Sequence, residues 1–159
     1  NSGETASGRR VTLAPAGAFD ASTAWALEAA WLAGPLLLQA EALNHRLGAV
    51  AGPARHARGG ELQAAWMWAG PARRMRSDGA RIDGPRMASG QTAWESVLRW
   101  TALGVSGERS ARVAMLGLNV WTGRRVRLSL GVQHTRIDDP VGPGLRDGTA
   151  WLARWQWRI

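Results

Sequence analysis

Seven charged side chains fall on the polar side of stretches in which apolar and polar residues alternate: Glu28, Glu41, Glu95, Arg99, Arg127, Arg154 and Arg158. In an extended chain successive side chains point to opposite faces, so these seven share the face opposite the Trp and Leu stripe. Glu95 and Arg99 stand about 13 Å apart along a strand, and so pair with neighbouring strands more readily than with each other. The three glutamates and Arg99 have opposite-sign candidates nearby, which suits a charge network bracing a wall. Arg127, Arg154 and Arg158 differ, because the last two strands offer no carboxylate on the same face. A row of unneutralised guanidinium groups in a water-filled space concentrates anions and repels cations. Permeation also requires the ion to leave, so many moderate contacts serve it better than one tight site.

Catalytic chemistry finds little support. His45, His56 and His134 are far apart and none has the short-range spacing of a metal ligand pair. No G-x-S-x-G nucleophile elbow is present, and the glycines of "GPGLRDG" at Gly142 to Gly148 have the wrong spacing for a dinucleotide fingerprint. Without cysteine there is no disulfide scaffold, thiolate zinc site or cysteine nucleophile. The expectation is a protein that is not an enzyme and that uses no cofactor or metal.

Charge points the same way as the arginine row. All twenty basic residues are Arg, against twelve carboxylates, for a net charge of +8. The guanidinium holds its charge and presents a fork suited to phosphate or carboxylate, so anions are the expected partners. A GC-rich genome would also replace Lys by Arg, but it leaves the net charge standing. The 159 residues, 45% of them hydrophobic, suffice for one compact domain. Ten Trp with one Phe and no Tyr would give Trp the interfacial aromatic role in an outer-membrane protein. No run of eighteen apolar residues occurs and the opening "NSGETASGRR" is polar, so neither a spanning helix nor an export signal is visible. For a barrel protein this predicts that Asn1 begins a mature or truncated piece, in keeping with the missing initiator Met.

The elements that must position these charges read as strands. Residues 9–15 form a short strand candidate, and 23–33 with 36–47 form a hairpin around Gly34-Pro35. The Ala, Leu and Glu content of that hairpin equally suits two helices broken at Gly-Pro. Residues 48–60 hold Gly, Pro and Arg without periodicity and read as a mobile exposed loop. A strand at 61–69 sets Leu62, Ala64, Trp66 and Trp68 against Gln63 and Ala65, and a polar connection with five Arg, two Asp and two Pro runs from Gly70 to Gly90. Four clear strands follow at about 91–103, 111–121, 125–137 and 148–159. Their alternation fits a barrel wall with lipid outside and water inside, and equally a half-buried soluble sheet. With the C-terminus in the periplasm, the turns at Gly34-Pro35 and 122–124 lie on the periplasmic side and the loops at 48–60, 104–110 and 138–147 outside. The long 70–90 connection breaks this rule, so it is an insertion or the strand count is off by one.

Three segments resemble the phosphate-selective porin O/P family of outer-membrane proteins. They are Gly34, Pro35, Leu38, Gln39 and Glu41; then Ala93, Trp94, Glu95, Leu98, Arg99, Trp100 and Thr101; then Gly117, Leu118, Asn119 and Trp121. The resemblance, to the C-terminal half of such porins, implies an all-β fold: an antiparallel transmembrane β-barrel wall of about eight strands. Residues 1–159 would be a single barrel segment, part of a 16-stranded porin or a small closed barrel. It also implies passive diffusion of phosphate or polyphosphate in the bacterial outer membrane, in contact with its lipid, as a homotrimer. Arg99, Arg127, Arg154 and Arg158 would line the pore, and Glu28, Glu41 and Glu95 would form the lumen charge network. The chain departs from the family in lacking Lys and in ending on Ile159 where an aromatic residue usually stands. The alternatives are a non-conducting eight-stranded structural barrel or anchor, and a soluble basic module binding nucleic acid. The first predicts no step currents in a bilayer; the second leaves its exposed Trp stripe without a partner.

Overall fold

A computed structural model describes residues 2–4, 10–12, 19–49, 53–75, 82–107, 109–138 and 146–157. Eleven strands follow in chain order: β1 (Ser2–Glu4), β2 (Arg10–Thr12), β3 (Phe19–Ala33), β4 (Leu36–Ala49), β5 (Arg55–Ala69), β6 (Arg74–Met75), β7 (Ile82–Asp83), β8 (Thr92–Val105), β9 (Ser110–Thr122), β10 (Val126–Asp138) and β11 (Arg146–Trp157). The seven long strands form one antiparallel sheet in the order β11-β10-β9-β8-β5-β4-β3. The helical reading of 23–47 is thereby excluded. Ala, Leu and Glu accept the extended form here because cross-strand pairing and face alternation outweigh local helix propensity.

Several boundaries differ from those read in the sequence, among them the start of β3 at Phe19 rather than 23. The 9–15 candidate contributes only β2, which pairs with β1 apart from the main sheet, so that sheet has seven strands rather than about eight. Residues 55–60 are the first part of β5 rather than loop. Gly59 and Gly60 hide this strand because they carry no side chain to alternate. They are needed where backbones close up, since a Cβ on Gly59 would sit 3.1 Å from Leu103 Cδ1 and one on Gly60 3.1 Å from the Glu41 carbonyl.

The seven long strands are one-sided. Trp25, Leu27 and Trp31 of β3 share the outward face with Leu62, Trp66 and Trp68 of β5 and with Trp94, Leu98 and Trp100 of β8. Leu116, Leu130, Trp151, Trp155 and Trp157 continue it. Nine of the ten Trp are exposed on this face. The inward face carries Glu28, Gln39, Glu41, Glu61, Gln63, Glu95, Arg99, Asn119, Arg127 and Arg154. What little core exists is split between the two ends of this inward face: Met67, Met87 and Ala93 pack together with Trp121 against them at one end, and Ala57 packs with Val105 at the other.

Tight turns at Gly34 (φ 55°) and Gly123 (φ 60°) join β3 to β4 and β9 to β10 at one end of the sheet. The left-handed φ of each favours glycine. The 70–91 connection leaves the same end, and the connections after β4, β8 and β10 leave the other. In its described parts the 70–91 connection is no periplasmic fringe, for it folds back over the inward face and places Arg73 and Met87 against it.

Candidate pore lining

The inward face is built in register rows, because residues opposite one another on adjacent strands point the same way. One row runs Met67, Glu95, Asn119, Ser129, Arg154 across β5, β8, β9, β10 and β11. The row beside it, toward the Gly123 turn, holds Ala93, Trp121, Arg127 and Gln156. These two rows, with Arg73 descending from the 70–91 connection, form one polar network.

Glu95 is its centre, at 1% exposure. Its two oxygens accept a bidentate pair of hydrogen bonds from Arg73, Nε to Oε1 at 2.5 Å and Nη2 to Oε2 at 2.7 Å. Asn119 Nδ2 donates to Oε2 at 2.9 Å. The Asn119 carbonyl oxygen accepts in turn from Arg127 Nη2 at 2.9 Å and from Ser129 Oγ at 2.7 Å. Trp121 stands between the two arginines, its ring centre 5.8 Å from the Arg73 guanidinium carbon and 5.1 Å from that of Arg127. Bidentate charge-assisted bonds and cation–π contacts both fix a guanidinium's orientation, so Arg127 is held rather than free to swing.

Arg99, Arg127 and Arg154 then surround a hollow of about 430 Å³, together with Arg73, Gln63 and Gln156. Its floor is low because Gly117 and Gly131 lie directly opposite each other without side chains, with the Met115 methyl packed over them and Val97 and Leu152 on either side. Arg99 reaches Met115 Sδ at 3.4 Å, and its Nε, like that of Arg127, is shut from solvent without a hydrogen-bond partner. Arg154 makes no ion pair among the described residues. Arg158 lies outside the described residues.

Of the three predicted glutamates, Glu28 and Glu41 lie side by side while Glu95 stands apart in the Arg73 network. Glu28, Glu41 and Glu61 stand abreast on β3, β4 and β5, lining a separate hollow of about 570 Å³. Glu61 accepts from Thr101 Oγ1 at 3.1 Å, and no arginine reaches Glu28 or Glu41 among the described residues. The inward face is thus acidic over β3–β5 and basic over β8–β11. A third hollow of about 670 Å³ at the turn end brings Arg86, Arg124 and Arg125 up to Arg73 and Arg127, with Asp83 as the one carboxylate in its lining.

Sequence reasoning missed Arg73, because its partner lies 22 residues away and the stretch around it has no period. The available signal was Glu95 itself, an inward carboxylate on a strand whose own arginine is out of reach. Asn119 and Trp121 were visible as motif residues without a role.

A curved antiparallel wall with an exposed apolar face on one side and a charged, hollowed face on the other is the construction of a transmembrane β-barrel. Residues 1–158 match the family model described as phosphate-selective porin O and P. The chain belongs to that family. It is 27% identical to Porin O of Pseudomonas aeruginosa over 92% of this chain and 37% of that protein, so it spans little more than a third of this relative's length.

Proposed function

We propose that this chain is part of the wall of a bacterial outer-membrane channel through which phosphate or polyphosphate diffuses passively, selected by the field of Arg99, Arg127 and Arg154. No bond is made or broken. The observation that carries the reading is the basic half of the lining. Its one buried carboxylate, Glu95, is already occupied by Arg73 and Asn119, so it leaves the other three guanidiniums un-neutralised. An anion entering the hollow meets the positive field of Arg99, Arg127 and Arg154, whose side chains line it. The hollow of about 430 Å³ leaves room for it, and the spread of donors over three strands passes it on without one deep well.

The sheet ends on β3 and β11, whose outer edges pair with no described strand. In hydrocarbon every backbone group needs a partner, so further strands must complete the wall. A larger barrel with this chain as one segment, assembled as the homotrimer that the resemblance implies, belongs to the same proposal. Open hollows along the lining favour it over a small closed barrel filled by side chains.

The test is the reversal potential of the full-length protein in planar bilayers under a salt gradient. The wild type should favour anions, and the triple variant R99Q/R127Q/R154Q should shift the potential toward cations. The shift should be large at 10 mM salt and small near 1 M, where the screening length falls from roughly 30 Å to 3 Å. Absence of step currents would leave the structural-anchor reading, and an unchanged potential in the triple variant would overturn the assigned selectivity.

A further inference from the structure

Four arginines point away from the lumen: Arg46 on β4, Arg58 on β5, Arg112 on β9 and Arg136 on β10, all exposed. All four lie near the end of the sheet from which the connections after β4, β8 and β10 leave. At the opposite end the outward strand positions hold Trp66, Trp68, Trp94 and Trp157 and no charge. The apolar face therefore has a tryptophan border at one end and an arginine border at the other.

Arg112 and Arg136 are directly opposite in the β9–β10 register, an arrangement of like charges that costs stability unless an anion lies between them. Arg58 follows on β5 across Gly104, and Arg46 is diagonal to Arg58 on β4. Among the described residues two carboxylates face the same border, Asp138 and Asp147. Asp138 is 3.4 Å from Arg136 Nε, and Asp147 stands opposite Arg136 on β11. Neither relieves Arg46, Arg58 or Arg112, whose side chains have no ion pair or hydrogen bond among the described residues. Immediately toward the apolar band, Ala42, Gly60 and Ala102 form one smooth row with Arg112, and Leu62 and Trp100 stand beside it as an exposed pair.

We infer that this border is a binding surface for the phosphate groups of a membrane lipid, the phosphorylated glycolipid of the outer leaflet. Guanidinium forks match phosphate, and basic clusters at a membrane interface hold lipid head groups. The apolar strip at Leu62 and Trp100 offers acyl chains a seat that a free phosphate ion would not use. The end with the arginines carries the connections that outer-membrane barrels turn outward, where that leaflet lies. The inference rests on the membrane reading but not on conduction, since these four side chains are outside the lumen.

The experiment is native mass spectrometry of the full-length protein extracted from outer membranes in mild detergent, comparing wild type with R112Q/R136Q and with R46Q/R58Q. Wild type should retain phosphorylated lipid, and each double variant should hold it roughly thirtyfold more weakly, the loss of two interfacial arginine contacts. The inner-face variant R99Q should keep the lipid, and millimolar inorganic phosphate should not displace it. A wild type without lipid, undiminished retention in both double variants, or displacement by inorganic phosphate would each overturn the assignment. Recovery in the membrane fraction reads the membrane assumption separately: a protein absent from that fraction fails that assumption, whereas one present there without lipid fails only this inference.

Discussion

Glu95 and Arg73 are not equivalent partners, because one sits on a wall strand and the other on a connection. Arg73 can turn into the aqueous hollows if its partner is lost, whereas Glu95 cannot leave its site at 1% exposure. Breaking a buried pair costs most when it strands the remaining charge. R73Q should therefore lower unfolding stability by about 3 kcal/mol, near the lower end for an uncompensated buried charge, and E95Q by clearly less. Guanidinium unfolding of the folded protein in detergent reads both, and the reverse ranking would show that the connection, not the strand, is the rigid partner. The asymmetry also shows what could be read from residue types. The inward placement of Glu95 follows from parity alone. The identity of its counter-charge does not, because nothing periodic links position 95 to position 73.

The element that decides the lining is the 70–91 connection, and its entry point is a single residue. Gly70 has φ 96°, and a Cβ there would lie 2.4 Å from Ala93 Cβ and 2.8 Å from Ala93 Cα. Gly70→Ala is thus strained twice, by backbone angle and by collision with the wall. It should release the connection from Met67, Ala93 and Trp121 and loosen its backbone, so that trypsin cuts G70A within the 70–91 segment faster than it cuts wild type. Equal resistance would mean that Arg73 and the methionine cluster anchor the segment without help from the turn. Strands whose alternation is interrupted by no more than a single glycine, such as Val126 to Asp138, could be delimited within about a residue from alternation alone. The start of β5 could not, because Gly59 and Gly60 blank the pattern where backbones crowd. The fate of 70–91 was likewise invisible, since an inward fold is set by long-range contacts rather than by local spacing.

At the scale of the whole molecule, the claim under test is that one face meets lipid and the other meets water. On the outward face charges are confined to the border with Arg46, Arg58, Arg112 and Arg136, and from Ala114 to Thr122 β9 carries none. At ~3.3 Å per residue and a tilt near 40°, that stretch spans roughly 20 Å of height, close to the band of about 25 Å that barrels present to hydrocarbon. Val132 lies in this band between Leu116 and Trp151, and Gln133, one residue on, faces the lumen between Met115 and Ala150. The pair offers a parity experiment in which composition and chain position are almost constant. V132R should cost on the order of 2 kcal/mol in folding into lipid vesicles, since its row with Leu116 lies between the centre of the band at Leu118 and the arginine border. Q133R should cost much less, since its head group reaches water, and should add to the anion preference of the channel. In detergent-free buffer a soluble sheet with the opposite face buried would rank the two variants the other way. The ranking therefore tests membrane insertion through wall energetics alone, independently of any current measured through the pore.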